Sequence, residues 1–221
     1  MTKKKLIHFQ ENSAFPHLFQ PTYHDLDKGF LLYSKWKENF FRNDHPIVVE
    51  LGCGKGEYTI GLASLYPDLN FIGIDIKGAR LWRGCKTVAD QSIKNVGFVR
   101  TMVDHIERIF APGEIAEIWI TFPDPQVKKQ YRRLTSPGFL EKYSHILSPN
   151  GIIHLKTDDP FFFNYTQEII REHHHQLLLS TDDLYHSDHT NEVTNIQTFY
   201  EKRWLEMGKK IGYLRFQLCT Q

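Results

Sequence analysis

With 221 residues, 27 Lys and Arg against 26 Asp and Glu, and 41% apolar side chains, the chain suits one globular domain with additions, at about 150 residues per domain. That composition excludes a disordered tail, a collagen-like repeat and a simple coiled coil, and no apolar run approaches the roughly 18 residues that cross a bilayer. The three widely spaced cysteines, Cys53, Cys85 and Cys219, indicate neither a disulfide framework nor a metal site, and the start lacks an apolar signal segment. A reducing, cytoplasmic location is expected, with no membrane and no metal.

Residues 1–45 lack regular alternation and read as an N-terminal extension, partly flexible, that packs through its apolar second half (Phe30, Leu31, Leu32, Trp36, Phe40, Phe41). From residue 46 to 221 short β-branched or aromatic runs alternate with segments of helical period, the pattern of an α/β sheet. Strands are expected at Ile47–Leu51, Phe71–Asp75, Phe98–Met102, Glu117–Phe122, Ile152–Lys156, Gln176–Ser180 and Tyr213–Cys219. Helices are expected near 57–66, 78–91, 104–110, 136–147, 160–173 and 194–208, with Pro67, Pro112 and Pro149-Asn150-Gly151 marking ends. The first five strands read as parallel, because runs such as IVVEL and IWITF are apolar on both faces.

The first strand runs into Gly52-Cys53-Gly54-Lys55-Gly56, and a helix follows from Glu57. Glycines at a strand-to-helix turn let the backbone pass close to a ligand in the crevice of such a sheet. An acid two residues ahead, Glu50, would repel a pyrophosphate, and it distinguishes this loop from a dinucleotide fingerprint; beside a cationic amino acid it is favourable. Asp75, at the end of the second strand, is placed to accept both hydroxyls of a ribose. Together these point to S-adenosylmethionine as cofactor, against a loop that merely packs or a nicotinamide site. The fourth strand ends in Pro123-Asp124-Pro125, which presents Asp124 rigidly or folds it onto its own backbone. Lys128, Lys129, Arg132 and Arg133 follow around Tyr131.

Glu50 to Gly56, Phe122 to Lys129 with Arg132-Arg133-Leu134, Lys156-Thr157-Asp158 and Thr198-Phe199-Tyr200-Glu201 together resemble the motifs of the bacterial tRNA (guanine-N7)-methyltransferase family, over residues 46–216. The resemblance implies a Rossmann-like class I methyltransferase fold, an α/β sheet of seven mostly parallel strands with the last antiparallel and helices on both faces. It implies methyl transfer from S-adenosylmethionine to N7 of guanosine 46 in the tRNA variable loop. Asp124 is then the catalytic candidate. Glu50, Gly52, Gly54, Gly56, Asp75 and Asp124 are the candidates for the cofactor, and Lys128, Arg132, Asp158, Thr198 and Glu201 for the tRNA. A monomer or homodimer is expected.

Two positions depart from the family pattern. Gln126-Val127 stand where Trp-Pro is usual, which removes a base-stacking surface, and Met102, with Asp104 two residues on, stands where an acid near the adenine is common. The rival readings are a class I methyltransferase acting on a small molecule or protein, a non-catalytic RNA-binding module and, a distant third, a nicotinamide oxidoreductase.

Overall fold

The computed structural model describes residues 3–191 and 193–219 of the chain. Eight strands form one sheet in the order β1-β4-β3-β2-β5-β6-β8-β7. They are β1 (Leu18–Phe19), β2 (Ile47–Leu51), β3 (Asn70–Ile74), β4 (Val96–Val99), β5 (Ile115–Thr121), β6 (Leu147–Thr157), β7 (Gln176–Thr181) and β8 (Gly212–Gln217). All seven expected strands are present, and β8 runs antiparallel to both β6 and β7. The eighth strand, β1, pairs parallel with β4; two residues are too few to carry a periodicity, so the sequence pattern does not reveal it. Every residue of β2 and β3 is buried, as strands covered on both faces require.

The helices are α1 (Lys3–Asn12), α2 (Tyr23–Lys28), α3 (Glu57–Leu65), α4 (Gly78–Asp90), α5 (Ile106–Ile109), α6 (Pro137–Ile146), α7 (Pro160–Glu172) and α8 (Phe199–Glu206). Prolines at the first positions of α6 and α7 are preset for a helix start. The Asp159 side chain caps α7 by accepting from the Phe162 amide at 2.8 Å. One core lies between the sheet and α5, α6 and α7, and the second lies under α3 and α4.

The N-terminal extension belongs to the sheet rather than merely resting on it. Asn12, fully buried, donates to the Gly78 carbonyl at 2.9 Å. Trp36, in a π-helical turn at Trp36–Phe41, is likewise fully buried and donates to the Ile109 carbonyl at 3.1 Å. Removing such a ring costs about 3–5 kcal/mol, so the segment from Leu18 to Phe41 contributes to the core that fixes the sheet edge.

Strand order reverses at β2: β3 and β4 lie to one side, and β5 and β6 to the other. In open α/β sheets ligands bind beyond the carboxyl ends of the strands at this switch point. Glu50, Asp75, Thr121 and Phe122 all stand at these ends.

Candidate active site

The loop from β2 to α3 carries three left-handed glycines, with φ of 73° at Gly52, 58° at Gly54 and 71° at Gly56. They do different work. A methyl group added at Gly52 meets nothing within 4 Å, and at Gly54 it meets only the Gly52 carbonyl at 4.0 Å, so both face open space. At Gly56 it would strike the Phe98 ring at 2.6 Å. Gly56 therefore packs the loop against β4, while Gly52 and Gly54 leave bare backbone toward the cleft.

Two carboxylates hold that loop. Asp75 accepts from the Gly54 amide at 2.9 Å through Oδ2 and from the Lys77 amide at 2.6 Å through Oδ1. Each oxygen keeps a lone pair for a further donor. Glu50 is buried; its Oε2 accepts from the Thr59 amide at 2.9 Å and from the Thr59 hydroxyl, and its Oε1 from the Thr121 hydroxyl at 2.6 Å. Burial pushes its carboxyl up to about 7, although the Thr121 and Thr59 hydrogen bonds pull the other way. Glu50 thus pins α3 to β5 as well as facing the cleft, a bracing role that the loop pattern alone does not reveal.

A narrow cleft of about 80 Å³ lies over the loop, lined by Glu50, Gly52, Gly54, Phe122, Thr198 and Tyr200, with Arg80 at its side. Next to Asp75 a shallower hollow of about 330 Å³ lies between the exposed side chains of Ile76 and Met102, and it reaches Tyr23 and Leu26 of α2. Asp104 does not line it. The open backbone at Gly52 and Gly54, the spare lone pairs of Asp75 and an acid beside a cleft flanked by an apolar hollow fit a nucleoside bearing a cationic amino-acid tail.

At the end of β5 the chain turns sharply, with positive φ at Phe122 (49°) and Gln126 (45°). Left-handed backbone at a non-glycine residue is uncommon and collects at functional sites. Asp124 is exposed and accepts from the Gln126 amide at 3.0 Å through Oδ1, closing a turn on its own backbone; no hydrogen bond engages its Oδ2 among the described residues. Both sequence readings of this motif therefore hold together: the turn is self-bonded, and it presents one carboxylate oxygen outward.

Lys128, Lys129, Tyr131 and Arg132 are exposed on the loop that follows. Arg133 is not: it is buried, donates to the Pro125 carbonyl at 3.2 Å and the Val127 carbonyl at 3.3 Å, and lies over the rings of Phe161 and Tyr165. It braces the proline loop from beneath and is not available to a phosphate.

Of the remaining expected residues, Thr198 reaches the cleft and caps α8 by accepting from the Glu201 amide at 3.2 Å. Asp158 is half-buried and paired with Lys209 at 2.7 Å. Glu201, also expected at the guanine, lies inside the fold. It is fully buried, paired at 2.6 Å with an equally buried Lys156, and accepts from the Tyr185 hydroxyl at 2.7 Å. Lys156 also donates to the carbonyls of Thr194 at 2.8 Å and Ile196 at 3.3 Å, and burial draws its ammonium below the usual lysine range. The pair ties α8 and the segment before it to the end of β6. Thr59, Thr121 and Lys156 as an anchor are additions of the structure; a lysine closing the apolar run IIHLK was the available signal for the last.

The sheet order, the glycine loop and the acid at the end of β3 define a class I methyltransferase. The sequence model of a family described as a putative methyltransferase matches residues 44–214. A protein of Christiangramia forsetii named tRNA (guanine-N(7)-)-methyltransferase is 52% identical, over 98% of this chain and 99% of its own length. A protein of the same name from Bacteroides thetaiotaomicron is 49% identical over 99% and 87%. Among solved structures, the 16S rRNA methyltransferase KamB superposes with a TM-score of 0.65 at 13% identity, covering 85% of this chain and 94% of its own, a likeness of fold alone. The chain belongs to the tRNA (guanine-N7)-methyltransferase family.

Proposed function

We propose that this protein transfers a methyl group from S-adenosylmethionine to N7 of guanosine 46 in the variable loop of tRNA, in the cytoplasm. The observation that carries the reading is the meeting, at one switch-point cleft, of the open glycine loop with Phe122, the residue from which the turn bearing Asp124 and the exposed basic loop departs. When bound, the cofactor supplies an electrophilic methyl group on a sulfonium. Gly52 and Gly54 would give it backbone at close range, Asp75 would accept from its ribose hydroxyls, Ile76 and Met102 would flank its adenine, and Glu50 would place negative charge near its cationic tail.

Guanine N7 has a free lone pair and attacks without losing a proton, so no strong general base is required. The work of the protein is to align the ring with the methyl group, and alignment is worth several kcal/mol. The methylated ring is cationic. The free oxygen of Asp124 stabilises that charge as it develops, in a position fixed by two prolines and by Arg133 beneath. Thr198 at the cleft and Asp158, just past the end of β6, are the candidates for the guanine N1 and N2 donors, and Glu201 holds the helix that presents Thr198. Lys128, Lys129 and Arg132 neutralise tRNA phosphates, and Tyr131 is available to an exposed base.

The test is transfer of tritiated methyl to unmodified tRNA transcripts, with a transcript carrying adenosine at position 46 as control. Incorporation that depends on guanosine 46 supports the reading. Equal incorporation into both transcripts moves the target elsewhere, and none into either returns the enzyme to the small-molecule or non-catalytic alternatives.

A further inference from the structure

Phe199 and Tyr200, at the start of α8, are large aromatic side chains left 54% and 43% exposed. They stand edge to face with ring centroids 5.6 Å apart, and Tyr200 lines the same cleft as Phe122. Their helix is anchored by the buried Lys156–Glu201 pair, and the Phe199 amide donates to Glu57 at 3.1 Å. Rings fixed on a rigid backbone yet open to solvent carry a cost in water that a stacking partner relieves. Tyr200 faces a cleft that Phe122 also lines, and the proline loop that follows Phe122 carries no aromatic at Gln126-Val127.

The same wall is basic. Lys55 lies over the Phe199 ring at 4.5 Å, and Arg80 lines the cleft. Lys55 and Arg83 line an adjoining open trough of about 560 Å³. Along α4, Arg80 and Arg83 are spaced three apart and both are exposed, with Lys77 one turn before them. No ion pair engages Lys55, Lys77, Arg80 or Arg83 among the described residues. By contrast, Lys86 further along the helix is paired with Asp90. Four cations without an ion pair, against the single carboxylate of Glu57 in the trough, together with exposed rings match an unstacked base and the phosphates flanking it better than they match a protein surface.

We propose that the α4–α8 wall is the second half of the RNA-binding surface, with Tyr200 stacking on the base brought to the cleft and Arg83 and Lys77 holding phosphates on the strand that leads away. Together with the loop bearing Lys128 and Arg132, it grips the RNA on both sides of the cleft. The inference rests on the tRNA reading above and adds to it the surface that compensates for the missing aromatic of the proline loop.

The test uses the full chain with unmodified tRNA, comparing Arg83→Glu, Tyr200→Ala and Tyr200→Phe with the wild type. Arg83→Glu is expected to raise KM for tRNA at least several-fold and to reduce the slope of log affinity against log salt by about one per lost phosphate contact, with KM for the cofactor unchanged. Tyr200→Ala is expected to lower kcat/KM for tRNA by roughly ten- to a hundredfold, the scale of a lost base stack, and Tyr200→Phe to restore most of it. An unchanged salt slope in Arg83→Glu, or a Tyr200→Phe enzyme as impaired as Tyr200→Ala, overturns the inference while the wild-type activity leaves the tRNA reading intact. A wild-type protein that neither binds nor methylates tRNA defeats both.

Discussion

The Lys156–Glu201 pair gives the most exacting stability prediction. Both side chains are fully buried and 2.6 Å apart. Glu201→Ala leaves an ammonium in the interior with the carbonyls of Thr194 and Ile196 as its hydrogen-bond partners, and it removes the nearer acceptor of the Tyr185 hydroxyl, which keeps the Thr194 carbonyl at 3.3 Å. Uncompensated buried charges of this kind cost about 3–5 kcal/mol. For a chain of this size, at roughly 2–4 °C per kcal/mol, Tm falls by about 6–20 °C. The double variant Lys156→Met/Glu201→Leu removes both charges at nearly constant volume, so its loss is expected to be smaller than the summed losses of Lys156→Met and Glu201→Leu by about 2 kcal/mol or more. Urea unfolding followed by circular dichroism, run as a double-mutant cycle, measures each quantity. A Glu201→Ala loss under about 1 kcal/mol, or strict additivity in the cycle, refutes the assignment of the pair as the anchor of α8.

Three further outcomes follow from the site. Because the Glu50 carboxyl sits at about 7 in the free protein and the cationic cofactor favours its ionised form, S-adenosylmethionine affinity rises roughly tenfold between pH 6 and pH 8 and loses that dependence in Glu50→Gln; calorimetry across this range checks it, and a flat profile in the wild type contradicts it. Gly56→Ala, which meets Phe98 at 2.6 Å, lowers Tm and cofactor affinity together. Gly52→Ala, with open space around it but a φ of 73°, lowers affinity with a stability loss limited to about 1–2 kcal/mol of backbone strain; equal thermal losses count against the division of roles. Arg133→Met removes the brace under the proline loop and cuts kcat for tRNA while leaving the salt slope of tRNA binding unchanged, whereas a reduced slope would return Arg133 to the phosphate-binding set.

What the sequence disclosed and what it hid divide along physical lines. Five of the seven expected strands were visible because buried parallel strands leave continuous apolar runs, whereas β7 and β8 pair antiparallel and β7 has no buried residue; the glycine loop was visible because backbone at φ near 70° selects glycine. The acid at residue 75 was visible because it ends such a run. By contrast, Arg133 sits in a basic cluster but points inward, and Glu201 follows a surface-like Thr-x-Tyr pattern but is sealed inside. Their burial is decided by Phe161, Tyr165, Lys156 and Tyr185, which come from distant parts of the chain. Thr59 and Thr121 were silent for the same reason: a threonine reveals its partner only when two elements are brought together, here around Glu50. The strand at Leu18–Phe19 owes its existence to the free edge of β4 rather than to any pattern of its own.

The most direct test of the catalytic account incubates the enzyme with S-adenosylmethionine and unmodified tRNA, then maps N7-methylguanosine by reduction and aniline cleavage. The account predicts a single cleavage at guanosine 46, abolished or slowed at least a hundredfold in Asp124→Ala with cofactor binding retained. Cleavage at another nucleotide, or an Asp124→Ala enzyme as fast as the wild type, would contradict it.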